Sequence, residues 1–331
     1  EWTADNQEPA RGLEADPIKT HTREISDDLA PAPIAIVGMG ATFGHLKGLR
    51  AFQEAIFNGK SNIGARSDSR LPGQDPTISA YLQNHILPGG YIDSVEVMPG
   101  AYHMPPNEIP DIIPQHLLML QVAAEAMANA GMPVRERQEQ TGVVIGIDFD
   151  FEATNFILRW DLYNKIQHWN QHVKLTQAES AQWLDTLKNH CCPPLTATRT
   201  VGALGGVIAS RIAKEFLLGG PSFVVSNAAA SGLKALDIAC RSLEQHETDT
   251  MVFGAVDFTG DPRRIITSHL IQPYSDQEAI RPFDEQADGT LPGEGAAAIV
   301  LKRLDQAVCD NDRIYGCLLY TSDAADECPA V

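Results

Sequence analysis

The chain has 331 residues and a formal net charge of −18, from 25 Lys+Arg against 43 Asp+Glu. Charge of that sign repels phosphate backbones and anionic membrane surfaces, which argues against nucleic-acid or lipid-surface binding. Hydrophobic residues make up 44% and charged residues 21%, a globular composition that supplies one large core or two ordinary ones. Six Cys without a C-x-x-C spacing give neither a disulfide framework nor a zinc motif, and no apolar run reaches membrane-spanning length. These features predict a reduced, cytoplasmic protein with no metal and no membrane span.

The chain opens on Glu1 and not on Met, as expected of an excised segment. Residues 1–33 carry eight acids and three bases with no apolar period, and are expected to be an acidic linker. Ile34–Val37 reads as a buried strand, with Gly38-Met39-Gly40 as a tight turn after it. With Gly44 these glycines space as G-x-G-x-x-x-G, one residue too many for a dinucleotide loop. Leu46, Leu49, Phe52 and Ile56 recur at helical spacing, and Asn58-Gly59 closes that helix. Residues 60–110 are rich in Pro, Gly and Asn and read as an irregular excursion. Pro114 opens a long helix through Ala130, with Gly131 and Pro133 past its end.

Val143–Ile147 is a second buried strand. Residues 151–190 form a mostly helical insertion carrying Trp160, Tyr163, Trp169 and Trp183, read as packing or subunit interface and not as a binding box. His190-Cys191-Cys192 is read as a loop with two ordinary thiols, because adjacent cysteines bind one metal ion poorly. The remaining histidines are read as scattered, with no pair four apart. Phe223–Val225, Met251–Gly254 and Ala297–Leu301 read as three further strands, and Leu233, Leu236, Cys240 and Leu243 as one face of a helix. Strands alternating with helices over this length predict an α/β layered domain.

The segment 220–245 carries the chemistry. A buried strand, a turn of very small residues and a helix start is the geometry of a nucleophile elbow. Backbone N–H groups and the positive dipole end at such a helix start lower a thiol pKa and stabilise an oxyanion. The turn reads Ser226-Asn227-Ala228-Ala229-Ala230-Ser231, so no thiol or hydroxyl stands at its centre.

Several ordered blocks resemble one family, the β-ketoacyl synthase (ketosynthase) domains of fatty acid, polyketide and polyunsaturated fatty acid synthases. Ile34–Gly40 is similar to their opening strand, and Pro114 through Gly131 to their long "PQQR" helix, with Leu117 and Ile113 replacing the usual Arg and Asp. Gly220 through Leu233 is similar to "GPSFTVDTACSSSL". Arg281-Pro282-Phe283-Asp284, Ala287-Asp288-Gly289 and Gly293-Glu294-Gly295-Ala296 are similar to "RPFDxxADGxVxGEGA", and Val300–Leu304 and Asp312–Tyr315 complete the pattern. The likeness covers 34–316, a ketosynthase-like N-terminal region. After Gly316 it stops, and residues 317–331 are expected to be foreign to the family.

The resemblance implies a thiolase-like α/β/α/β/α fold of two similar halves, of which mainly the first is present. It implies decarboxylative Claisen condensation of acyl and malonyl thioesters, carried on the phosphopantetheine of an acyl carrier protein, with no tightly bound cofactor. Two catalytic His residues and a Lys belong to the second half of the family fold. The alignment puts the family's nucleophilic Cys at Ala229 and its preceding Asp-Thr pair at Ser226-Asn227. A methyl group cannot take an acyl chain from a thioester. Ser231, two residues on, points away from the tip, and Cys240 reads as core packing. Ala41–Gly44, Leu46–Leu49 and Gly90–Val97 are similar to Cys-less chain-length-factor domains. The implied partners are an active ketosynthase domain, as a dimer, and an acyl carrier protein. The alternatives are a relative that only decarboxylates malonyl thioesters, condensation through an unusual nucleophile, and an inactive truncated fragment. Half of a two-half fold also predicts an uncovered apolar layer and a tendency to aggregate.

Overall fold

The computed structural model describes residues 33–65, 88–133, 135–148, 151, 155–191, 193–258 and 260–318. The linker expected over 1–33 lies outside the described residues except for its last position, as do 66–87 of the irregular excursion and 319–331 of the tail.

Among the described residues seven strands form one sheet: β1 (Ile34–Phe43), β2 (Leu46–Lys47), β3 (Thr141–Ile147), β4 (Ser222–Val225), β5 (Thr250–Asp257), β6 (Gly295–Arg303) and β7 (Gly316–Leu318). Their order is β2-β1-β6-β5-β3-β4, and β7 also pairs with β1. The β3 strand runs parallel to β4 and β5, while β6 runs antiparallel to β5 and β1. The mixed sheet bears helices on both faces, which is the layered class expected.

The period of two along β3 explains the two faces. Val143, Ile145 and Ile147 join one cluster with Leu118, Val122 and Ala126 of α2 (Pro114–Asn129), together with Ile208 and Ile212. Val144 points to the other face and packs with Ala235, Ala239 and Leu243. β3 is therefore buried on both sides and reads as a continuous apolar run.

Among the described residues the other α-helices are α1 (Leu49–Phe57), α3 (Asn155–Val173), α4 (Gln177–Cys191), α5 (Ala197–Ala203), α6 (Ile208–Phe216), α7 (Ser231–Glu244), α8 (Pro262–Ile271) and α9 (Leu304–Cys309). Leu46 belongs to β2, so the first helix starts three residues later than its apolar spacing suggests.

Four other expectations need correction. Gly38 and Gly40 do not make a turn: β1 continues through both. They are glycines because α2 crosses there; a Cβ on Gly38 would stand 2.4 Å from the Ala126 carbonyl oxygen, and one on Gly40 2.4 Å from that of Val122. On α7 the buried stripe is Ser231, Ala235, Ala239, Ser242 and Leu243, whereas Leu233 is 75% exposed. Leu236, Cys240 and Leu243 do pack against the sheet as expected, so only Leu233, in the first turn, falls outside the packed face. His168 and His172 are not scattered; they sit four apart on α3 with ring centroids 5.8 Å apart. β7 runs on past Gly316, and its Cys317 and Leu318 pair with Ala35 and Ile34. His190 and Cys191 are not in a loop but close α4, where the His190 Nδ1 lies 2.8 Å from the Thr186 carbonyl oxygen one turn back; the Cys191 side chain and Cys192 lie outside the described residues.

Candidate active site

The chain leaves β4 at Val225 and enters α7 at Ser231 through an exposed turn. Ala228 adopts a left-handed backbone at φ 46°, which reverses the chain at a cost that glycine would escape. The turn is closed by its own backbone: Ala230 N–H donates to the Asn227 carbonyl (3.0 Å) and Ser231 N–H to that of Ala228 (3.1 Å). The Ser231 hydroxyl donates to the Ala228 carbonyl at 2.7 Å and accepts from the Asn227 N–H at 2.8 Å. Ser231 is buried and its hydroxyl is engaged on both sides, so it staples the elbow. Ala229 stands exposed at the tip with a methyl group.

The turn can sit this low because Gly146 of β3 lies beneath it. A Cβ there would be 2.7 Å from the Ser231 carbonyl carbon. Register then fixes the rest of the site. Gly146 pairs with Val225 on one side and Ala255 on the other, and Asp257 pairs with Gly295. The ends of β3, β4 and β5 and the start of β6 thus converge at the elbow's end of the sheet. Parallel α/β sheets place their ligands at this carboxyl end.

Three carboxylates gather there, and sequence pattern pointed only to Glu294. Glu294 is buried; it accepts from the Ile92 N–H at 2.7 Å and from the Gly260 N–H. Asp148, just past β3, pairs with Arg264 of α8. Asp257 ends β5, and burial pushes its carboxyl up to about 6; the Asp148 and Glu294 charges push the same way and the Arg264 guanidinium opposes them. A strand of apolar residues ending abruptly in Asp was the available signal for Asp257. A second missed group is His116, fully buried on α2, whose imidazole is pushed down to about 4 by burial first and by the Arg211 guanidinium second. Its place inside an apolar helix was the signal.

The motif loop divides into two parts. Glu294 and Gly295 stand at the sheet end, and Gly293 bridges Gly90 beside them. The rest of the loop spends its polar groups on its own turns. Arg281 donates to the Gln286 side chain at 3.2 Å, and Asp284 accepts from the Gln286 N–H at 2.9 Å. Asp288 accepts from the Ser275 hydroxyl at 2.6 Å and the Gln277 N–H at 3.2 Å, and these bonds hold its carboxyl below the usual range. Gly289 leaves room for that turn, since a Cβ would lie 2.6 Å from the Ser275 nitrogen. Phe283 is fully exposed with φ 62°, a left-handed conformation that a bulky residue rarely adopts.

An elbow over the carboxyl end of a mixed sheet, with a small-residue tip and a buried Gly-Glu-Gly motif beside it, defines the amino-terminal half of a thiolase-like ketosynthase fold. Residues 32–307 match the beta-ketoacyl synthase N-terminal domain, and the chain belongs to that family. It is 29% identical over 289 residues to a polyunsaturated fatty acid synthase protein of Thraustochytrium sp., covering 86% of this chain and 13% of that protein. It is 30% identical over 289 residues to a phenolphthiocerol/phthiocerol polyketide synthase protein of Mycobacterium tuberculosis, covering 85% and 14%. The chain therefore spans about one seventh or less of the length of these curated relatives. Among solved structures it superposes on the PfaC keto synthase-chain length factor with a TM-score of 0.72 at 23% identity, covering 86% of this chain and 30% of that one. It superposes on the ketosynthase from module 6 of the bacillaene synthase of Bacillus subtilis with a TM-score of 0.63 at 23% identity, covering 86% and 42%.

Proposed function

We propose that this chain is a ketosynthase-like domain that does not acylate, and that it pairs with a Cys-containing ketosynthase domain as a chain-length factor does. The observation that carries this reading is the elbow. Its closing hydrogen bonds and its seat over Gly146 are intact, while the tip that would hold a nucleophile is the methyl group of Ala229. Thioester exchange needs a thiolate or alkoxide to attack the acyl carbonyl and expel the carrier thiol. Ala229 has no lone pair to offer, and Ser231 uses its hydroxyl within the turn.

In this reading the condensation runs on the partner. Acyl and malonyl groups arrive as phosphopantetheine thioesters of an acyl carrier protein. The present domain supplies a rigid wall for the growing chain in a cytoplasmic synthase. Support comes from family membership and from the likeness to polyunsaturated fatty acid and polyketide synthases.

Titration of the chain into a Cys-containing ketosynthase domain with carrier-bound acyl and malonyl groups tests the proposal. A stoichiometric complex and an altered distribution of product lengths are expected. A chain that neither binds the ketosynthase nor alters its products would contradict the reading.

A further inference from the structure

The sheet edge opposite the elbow is notched. Along its outer side β1 pairs with β7 at Ile34–Ile36 and with β2 at Thr42–Phe43, and among the described residues no strand covers the stretch between. A cavity of about 430 Å³ opens there, between Met39 of β1, Leu49 of α1 and Tyr315 just before β7. That volume lies in the range of small-molecule sites. β1 stands four strands from β4, about 19 Å at the usual strand spacing, so the cavity is separate from the elbow.

The walls are tied to one another. Glu125 of α2 accepts from the Leu49 N–H at 2.8 Å, and Asn129 of the same helix accepts from the Met39 N–H at 3.0 Å. Each bond fixes α2 to a neighbouring wall and uses one end of a two-ended side chain. The second Glu125 oxygen and the Asn129 amide nitrogen have no partner among the described residues, and both side chains line the cavity.

Arg313 is the anchor. Its guanidinium lies over the Tyr315 ring, 4.5 Å from the centroid, and among the described residues no carboxylate pairs with it. Stacking uses the face of a guanidinium and leaves its in-plane N–H donors open. The chain carries −18, and Arg135, Arg199, Arg264 and Arg303 each hold a carboxylate; an unpaired guanidinium beside a cavity departs from that pattern. Arg50 of α1 lines the same cavity. It pairs with Glu54, but side chains 91% and 62% exposed make that pair weak. The charged lining is thus Arg50 and Arg313 against Glu125, 2 − 1 = +1 in a strongly acidic chain.

These groups describe a ligand. Two guanidiniums suit a phosphate dianion better than a lone carboxylate. The open Glu125 oxygen takes a hydroxyl or amine donor, and Met39 and Leu49 give apolar contact to the body of the molecule. We propose that this notch binds a small phosphate monoester with a hydroxyl-bearing body of nucleoside size, held by Arg313.

Isothermal titration of the whole chain with adenosine monophosphate tests this, with adenosine and inorganic phosphate as separate titrants. A Kd of order 10–100 µM is expected for the monophosphate, at the usual efficiency of ligands of this size. It should weaken as salt rises. Adenosine and inorganic phosphate should each bind at least about tenfold more weakly. Arg313→Gln should cost about tenfold or more, while Tyr315→Phe keeps the stacking platform and the affinity. Arg241→Gln removes the same charge from an exposed pair with Asp237 on α7, across the sheet, and should leave binding unchanged. Circular dichroism checks the fold of each variant, Arg313 being exposed. The proposal is overturned if the monophosphate does not bind at 1 mM, or if adenosine binds as well. It is overturned too if inorganic phosphate binds as tightly, which marks an adventitious ion only, or if Arg313→Gln and Arg241→Gln weaken binding equally.

Discussion

His116 should make this fold sensitive to mild acid. The ring is fully buried, and burial together with the Arg211 guanidinium lowers its pKa from 6.5 to about 4, against a small opposing pull from the Leu204 carbonyl. In the unfolded chain the imidazole takes up its proton near pH 6.5. The unfolded state therefore binds more protons between pH 6.5 and 4. The contribution of the neutral ring is complete above pH 6.5 and is lost as pH falls through that window. The interval corresponds to about 3 kcal/mol at its lower end. Asp257 works in the opposite sense, since its raised pKa favours the folded state once it is protonated, so the raw stability of the wild-type chain mixes the two. The difference between wild type and His116→Leu removes that mixing, because Asp257 titrates in both. Urea unfolding followed by circular dichroism should give a difference that is flat above pH 7. It should then move against the wild type by about 3 kcal/mol at pH 4. Equal pH slopes for the two proteins would refute the reasoning.

Other consequences are as direct. Asp257→Asn should raise stability at pH 7–8 by about 1–2 kcal/mol, since the carboxylate is ionised there against its burial, and the gain should vanish near pH 4; urea midpoints at the two pH values decide it. Gly40→Ala should cost about 2–3 kcal/mol or more, because its Cβ must displace the α2 backbone at Val122, whereas Gly64→Ala, with open space around it, should cost far less; thermal melts of the pair compare them. Glu294→Ala should destabilise by roughly 2–4 kcal/mol by leaving the Ile92 and Gly260 N–H groups buried without their acceptor, and Glu294→Gln should recover part of that; urea unfolding of the two variants separates them.

Much of this fold was legible because its strongest signals are local. Pro114 and Gly131 bracket α2 by backbone chemistry that needs no partner, and the apolar run at Val143–Ile147 is long enough to require burial on both faces. The elbow was legible for the same reason, as small residues between a strand and a helix. What sequence hid depends on what comes near. Gly38 and Gly40 read as a turn because nothing in their own segment announces the helix that crosses them. Leu233 read as core because it shares the apolar spacing of Leu236, Cys240 and Leu243, and only the sheet leaves the first turn outside the packed face. Asp257 and His116 were missed because their chemistry comes from burial and from Arg264, Asp148 and Arg211, which are distant in the chain.

The central claim is that the elbow is intact and chemically silent. The most direct test is the intact mass of the chain after incubation with an acyl thioester, beside an Ala229→Cys variant. At position 229 a thiol would stand just ahead of the α7 N-terminus, where backbone N–H groups favour the thiolate. The account predicts no stable mass increment on the wild-type chain and one acyl group on the variant. An acyl increment on the wild-type chain would contradict it.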